Sequence, residues 1–176
     1  EEGRLKRLNG QNPAGSIDTH RRDSRLVTKD QFIDLVNWQL SVHALTQQTA
    51  AQISLSPALV AVRLEPETQP DQEDVSRDQL DRWMTSLVEA LATSERAVRE
   101  RDDLIWILRP HCRSHDIETF HDYLVNHLRS EHPHDQNPLR VQTKGYLLDK
   151  NVSPKDDAEL LQARLLSDIA EQADKP

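Results

Sequence analysis

The order of helical and strand patterns predicts an α/β domain, more narrowly α+β, in which helices pack over a central mixed sheet. Two observations carry this prediction. The first is a short apolar run, Ala58–Leu64, whose length and β-branched content are typical of a central strand buried on both faces. The second is the alternation of such runs with amphipathic stripes, in the order helix, strand, helix, hairpin, helix, strand or strands, helix.

Composition limits the function classes that this chain can serve. The 176 residues include 30 acidic and 22 basic side chains, a formal net charge of -8, which argues against a non-specific nucleic-acid binder. No apolar run approaches the ~20 residues that span a bilayer, and a single cysteine, Cys112, excludes an internal disulfide framework. Residues 1–25 contain Gly3, Gly10, Pro13 and Gly15 among scattered charges and are predicted to be a linker or the end of an upstream signalling helix in a longer protein, with the domain at 26–176.

Two capping boxes predict where the first two helices begin. Thr28 with Gln31, and Ser76 with Gln79, place a hydroxyl three residues before an amide side chain that can reach back to it. Apolar residues at helical spacing follow each box and predict the buried faces: Phe32, Leu35, Val36 and Leu40, then Leu80, Trp83, Met84, Leu87, Val88 and Leu91.

Two later helices are predicted from the same kind of pattern. Asp116 is predicted to cap one of them, and Ser153-Pro154 to open the other. Their expected inward residues are Ile117, Phe120, Tyr123, Leu124 and Leu128 in the first, and Leu160, Leu161, Leu165 and Ile169 in the second.

A β-hairpin is predicted between the second and third helices. Ala97-Val98 and residues 103–108 are its apolar strands, and the polar residues 99–102 lie between them. The second strand, Leu104–Leu108, is expected to be central and to lie beside Ala58–Leu64. A late strand or pair of strands is predicted over residues 139–148.

This order of elements resembles the GGDEF domain, the fold of diguanylate cyclases, over residues 27–169. Four places carry the resemblance. Residues 26–32 stand at the family's Leu-Thr-Gly-Leu-x-Asn-Arg-Arg-x-Phe opening, and residues 60–65 at the first strand, which in the family ends Asp-x-Asp-x-Phe-Lys. Residues 99–110 resemble the signature hairpin Arg-Tyr-Gly-Gly-Asp-Glu-Phe with its following strand and proline. Residues 139–161 resemble the late strand with Ser-Ile-Gly and the closing helix.

The departures from the family pattern bear on activity. In the family, carboxylates on the first strand and in the hairpin hold the metal that joins two GTP molecules. Here Arg63 stands at the first strand position, Glu65 at the second and Asp103 at the acidic hairpin position, while Arg101-Asp102 replaces the two glycines. The guanine-reading Asn-Asp and the closing Lys-x-x-Gly-Arg-Asn are not evident. The resemblance therefore implies a degenerate, catalytically inactive domain with no metal and no cofactor.

A second family feature is an inhibitory Arg-x-x-Asp site that binds intercalated cyclic di-GMP. Residues 99–102 read Arg-Glu-Arg-Asp, so the resemblance implies Arg99, Arg101 and Asp102 as ligand residues. The hairpin is too short for both this motif and the signature. Either the motif is retained and the signature deleted, or the signature is replaced and the match is accidental.

The resemblance implies a cyclic di-GMP receptor in a bacterial signalling protein, located in the cytoplasm and attached to an upstream sensory or membrane region. The first alternative is a protein-interaction or dimerisation module, which includes a homodimer, without a nucleotide ligand. Residual cyclase activity through Glu65 and Asp103 is a distant third.

The histidines and most of the tryptophans outside these motifs are predicted to have structural rather than ligand-binding roles. His111, Cys112, His115 and His121 lack the spacing of a zinc site and are interpreted as a solvated loop. Trp83 and Trp106 are predicted to be core. Trp38 lies off its helical stripe and is a candidate for a second contact surface.

Overall fold

The computed structural model describes residues 24–47, 56–66, 76–113, 115–135, 139–148 and 155–173. In these ranges four helices and four strands follow one another along the chain: α1 Lys29–Gln47, β1 Ser56–Pro66, α2 Arg77–Ala90, β2 Arg96–Arg101, β3 Leu104–Cys112, α3 Asp116–Glu131, β4 Leu139–Leu147 and α4 Ala158–Ala173. None of these helices combines the length and the apolar character that crossing a membrane requires. The predicted linker at 1–25 falls almost entirely outside the described residues.

The four strands form one sheet in the order β2-β3-β1-β4. β1 pairs with β3 on one side and β4 on the other, so the predicted central position of Ala58–Leu64 beside Leu104–Leu108 is confirmed. The α+β class is confirmed too, but all three strand pairs are antiparallel, and the expected mixed sheet is corrected to an antiparallel one. The reason is that α2 returns the chain so that β2 runs in the same direction as β1, but these two strands are not neighbours. β3 lies between them and is antiparallel to both.

Two layers of helix cover the two faces of the sheet, which explains why β1 is apolar at every position from Pro57 to Val62. Val60 and Val62 face the cluster beneath α2 and α3, whereas Leu59 and Ala61 face the cluster beneath α1 and α4. These residues are fully buried. A strand enclosed on both sides has no solvent face, so its sequence does not alternate between apolar and polar residues.

The predicted capping box is complete at the start of α1, and the predicted capping hydroxyl of Ser76 is in place at the start of α2. The Gln31 amide donates to Thr28 Oγ1 at 3.2 Å, and the Thr28 amide donates to Gln31 Oε1 at 3.0 Å. At α2, the Gln79 amide donates to Ser76 Oγ at 3.2 Å. These bonds satisfy amides that have no partner inside the helix.

The starts of α3 and α4 differ from prediction. The N-cap of α3 is His115, which makes no side-chain capping bond, while Asp116 is the first helical residue and accepts the Arg113 amide at 2.7 Å. α4 begins at Ala158, where Asp157 Oδ1 accepts the Leu160 amide at 2.9 Å. The predicted Ser153-Pro154 start lies outside the described residues.

Two residues expected in the core are on the surface, because each lies at the margin of its helical stripe. Tyr123 is 50% exposed and Leu160 is 51% exposed, whereas Trp83 and Trp106 are buried as predicted. Trp38 is 59% exposed, which agrees with its position off the buried stripe of α1.

Gly145 permits the close packing of α3 onto the sheet. A Cβ atom at this position would lie 2.9 Å from Ile117 Cδ1 and 3.3 Å from the Leu59 carbonyl oxygen. A side chain there would require Ile117 to move and the neighbouring strand to give by a few tenths of an ångström, so glycine suits the close packing at this point.

Candidate functional site: the turn of the β2–β3 hairpin

The backbone brings the end of β1 against the turn of the β2–β3 hairpin. Arg63 is the register partner of Leu104 at the start of β3, and the Leu64 amide donates to the Asp103 carbonyl at 2.9 Å. Three residues that the sequence singled out on separate segments, Arg63, Glu65 and Asp103, therefore share one site.

The Arg63 guanidinium lies between the two carboxylates. Its Nε is 3.3 Å from Asp103 Oδ2, and its Nη1 is 3.2 Å from Glu65 Oε1. Arg140, the cross-strand neighbour of Glu65 on β4, places Nη2 2.9 Å from Glu65 Oε2. Arg101 adds a contact of 3.6 Å from Nε to Asp103 Oδ1. Each oxygen of both carboxylates thus faces a guanidinium.

This arrangement pairs the carboxylate oxygens at the end of β1 and at the hairpin turn with arginines. A hard cation such as Mg²⁺ requires carboxylate oxygens that are open to it, whereas these oxygens are engaged by three arginines. Throughout the described residues, no group of three or more His, Cys, Asp or Glu side chains is arranged to hold a metal ion. Burial raises the pKa of the Cys112 thiol, which disfavours the thiolate form that ligates metals.

The predicted ligand residues lie at the same turn, where Arg99 and Asp102 contact α2 and Arg101 contacts Asp103. Arg99 Nη2 donates to the Asp102 carbonyl at 2.7 Å, and Arg99 Nε donates to the Arg101 carbonyl at 3.3 Å. Its Nη1 is 2.7 Å from Asp81 Oδ1 on α2. A register shift in β2 between Arg99 and Arg101 accompanies the turn. Arg99, Arg101 and Asp102 are therefore neighbours in space as well as in sequence.

Two residues of α2 belong to this site and were missed by the sequence analysis. Asp81 contacts Arg99, and Arg77 Nε lies 3.7 Å from Asp102 Oδ1. Both precede the hairpin by about twenty residues, so their proximity depends on how α2 packs across the sheet. The sequence shows charged residues in the first turns of α2, but it contains no pattern that predicts their contact with the hairpin.

The side of the hairpin that faces α1 carries a further ion pair. Lys29 Nζ lies 2.8 Å from Glu100 Oε1. This hydrogen bond to Glu100 raises the pKa of Lys29, which stays charged. The pair links the start of α1 to the end of β2.

A wide cleft lies elsewhere, between α3 and the edge strand β4. Its volume is about 630 Å³, and its lining includes His121, Asp122, Arg140 and Thr143. His121 Nδ1 is 2.9 Å from Thr143 Oγ1, a contact that joins the helix to the strand. None of the candidate ligand residues at the hairpin turn lines this cleft.

Comparisons with known proteins identify the fold. No family model and no curated protein matches the sequence. The structure is similar to a DGC protein from Thermotoga maritima, with a TM-score of 0.52 and 14% identity over 84% of this chain and 95% of that chain. It is also similar to the GGDEF domain of DgcB from Caulobacter crescentus, solved in complex with c-di-GMP, with a TM-score of 0.55 and 12% identity over 88% of this chain and 94% of that chain.

The chain is therefore an α+β domain with the GGDEF fold. This confirms the fold that the sequence resemblance implied. At these levels of identity the likeness concerns the fold, and the function rests on the residues at the hairpin turn.

Proposed function

We propose that this chain is a non-catalytic signalling domain of the GGDEF fold that binds cyclic di-GMP at its hairpin turn. The observation that carries the non-catalytic part is the Arg63 guanidinium, 3.2 Å from Glu65 and 3.3 Å from Asp103. By resemblance, these are the positions at which active cyclases hold a divalent metal.

Loss of cyclase activity follows from electrostatics. Joining two GTP molecules needs a divalent ion to activate the attacking 3′-hydroxyl and to neutralise charge on the phosphates. A guanidinium at that place repels the ion and pairs with the oxygens that would ligate it.

The test of this part is a product assay on the purified chain with GTP and either Mg²⁺ or Mn²⁺. We expect no cyclic di-GMP above the level of the buffer without protein. Product that depends on the protein and disappears in Asp103→Ala would contradict the proposal.

The ligand part rests on Arg99, Arg101 and Asp102. An arginine fork pairs with a guanine edge or a phosphate, and a carboxylate accepts from the guanine N1–H and amino group. The side chains of Arg101 and Asp102 are 56% and 55% exposed, so both are accessible to a ligand. The bound c-di-GMP of the DgcB domain supports the choice of ligand class.

Calorimetric titration with cyclic di-GMP tests the ligand part. We expect binding by the wild-type chain, much weaker binding of cyclic di-AMP because adenine lacks the N1–H donor, and loss of binding in Arg99→Ala. Arg113→Ala is the matched control, because it removes the same charge from an exposed position at the far end of β3. Binding that survives both Arg99→Ala and Asp102→Ala would locate the ligand elsewhere.

A protein-interaction or dimerisation module is the second candidate function, and Trp38 favours it. This side chain is 59% exposed on α1, and burying such a large apolar group against a partner would be favourable. Sedimentation of the wild-type chain and Trp38→Ala tests this candidate. A wild-type dimer that dissociates in the variant, together with no heat from cyclic di-GMP, would favour the interaction module.

A further inference from the structure

Two side chains of α2 reach the hairpin turn and pair with the proposed ligand residues. Asp81 Oδ1 is 2.7 Å from Arg99 Nη1, and Arg77 Nε is 3.7 Å from Asp102 Oδ1. Each residue of the Arg99/Asp102 pair thus has a partner of opposite charge on the same helix.

The spacing of these partners suits a contact made by one face of α2. Arg77 and Asp81 are four residues apart, so their side chains lie one turn apart on the same side of the helix. The helix itself is fixed, because Ser76 caps it and Trp83 and Leu87 are buried beneath it. A rigid core therefore holds the two charged groups in front of the hairpin.

The chemistry of the two partners matches that of the proposed ligand. The Asp81 carboxylate is an anion on the Arg99 fork, where a phosphate or a guanine edge would pair. The Arg77 guanidinium presents N–H donors to Asp102, where the guanine N1–H and amino group would donate.

We propose that Arg77 and Asp81 form an internal competitor, the α2 latch, which cyclic di-GMP must displace before it binds. This inference rests on the proposed function, since it concerns the regulation of that site. The latch is exposed: the side chains of Asp81 and Arg77 are 48% and 77% exposed. Breaking these ion pairs therefore costs little free energy. The affinity for the ligand then depends on charges carried by α2 as well as on the hairpin.

The first experiment tests the latch without any ligand. Phenylglyoxal modifies accessible arginine, and peptide mass spectrometry reads the extent at Arg99. We expect modification of Arg99 to rise about twofold in Asp81→Asn, because the closer of its two ion pairs is lost while the contact of 3.9 Å to Asp102 Oδ1 remains. Asp78→Asn is the matched control, with the same change of charge on the first turn of α2, and should leave Arg99 as in the wild type. Equal modification in Asp81→Asn and wild type would overturn the latch.

The second experiment measures cyclic di-GMP affinity by calorimetry in the same proteins. We expect Asp81→Asn to bind about two- to fivefold more tightly than the wild type, the factor that corresponds to an exposed ion pair. Arg77→Gln should tighten binding in the same direction, and Asp78→Asn should not. Circular dichroism checks that each variant is folded.

The outcomes of the two experiments separate the latch from the proposed function. Unchanged affinity in Asp81→Asn, with binding present in the wild type, overturns the latch and leaves the receptor role intact. If no variant binds although Arg99 modification responds to Asp81→Asn, the receptor role is contradicted, and the regulatory role of the ion pairs is overturned with it.

Discussion

Two arginines at opposite ends of the β2–β3 hairpin occupy different environments. Near the open end, Arg109 is 2.9 Å from Glu95 and lies 4.1 Å from the centre of the Phe120 ring. Its side chain is 21% exposed, and that of Glu95 is 6% exposed. Near the turn, Arg99 pairs with Asp81, and these two side chains are 30% and 48% exposed.

Burial decides what each arginine can do. Breaking the pair with Arg109 would leave the Glu95 carboxylate uncompensated in the interior, so this pair holds the residue before β2 against β3, and Arg109 also packs on Phe120 of α3. The exposed pair at the turn exchanges with solvent at little cost, so its arginine can accept another anion. The open end of the hairpin therefore carries a buried ion pair, and the turn, where we propose the ligand site, carries more exposed ones.

The largest expected effect on the free energy of unfolding comes from truncating a core side chain of β3, the strand that runs from the turn to the open end. Ile105 on β3 is fully buried, and Ile105→Ala should lower the free energy of unfolding by about 2–5 kcal/mol, towards the upper part of that range because neighbouring strands limit collapse of the cavity. Urea denaturation measures this, with the exposed Arg101→Ala as the control. A loss below about 0.5 kcal/mol would show that β3 is not buried.

Glu95→Ala tests the structural end directly. The substitution leaves Arg109 without its carboxylate and removes the acceptor of the Ala92 amide, so unfolding should become easier by about 3 kcal/mol. Asp81→Ala, at the turn, is the comparison and should cost less than about 1 kcal/mol. Equal losses in the two variants would remove the distinction between the ends.

Tyr146 makes a partly buried hydrogen bond to Asp168, and its contribution to stability should depend on pH. Burial, followed by the hydrogen bond that its hydroxyl donates to Asp168, raises the pKa of Tyr146 from 10.0 to about 12. The neutral phenol stabilises the fold, so this contribution is complete below about pH 10 and is lost as the pH rises towards 12. At pH 7, Tyr146→Phe should cost about 1.5–3 kcal/mol.

The measurement for Tyr146 is urea denaturation of wild type and Tyr146→Phe at pH 7, 9 and 11. The difference between them should shrink at pH 11, because above about pH 10 the Tyr146 phenol ionises in the unfolded wild-type chain, whereas the folded chain still holds it neutral. Tyr123→Phe is the control, since its hydroxyl donates only to the Ala90 carbonyl from an exposed position. A difference that is the same at all three pH values would refute the pKa shift.

The smallest expected effect is that of Arg99→Ala on stability. Its partners are exposed side chains and turn carbonyls, so unfolding should change by less than about 1 kcal/mol. Thermal denaturation in the absence of ligand measures this. A large loss of stability would place Arg99 with Arg109 among the structural arginines.

Much of the fold could be predicted because its signals are local. The capping boxes at Thr28 and Ser76 depend on residues three apart, and the apolar run at Ala58–Leu64 already shows that both faces of that strand are covered. Hairpin strands are adjacent in sequence, so the position of Leu104–Leu108 could be inferred as well. Apolar periodicity misplaced Tyr123, because a helical stripe does not show where the covering layer ends.

The sequence by itself determined the α+β class, the central strands, the residues at the hairpin turn and the presence of Arg63 where the GGDEF pattern has a carboxylate. Only the tertiary structure decided that the sheet is antiparallel throughout, since the directions in which β3 and β4 run beside β1 depend on contacts far apart in the chain. It also decided that Arg63 lies between Glu65 and Asp103, and that Asp81 reaches Arg99. Ion pairs form between residues that packing brings within a few ångströms, and the sequence of charges does not record that distance.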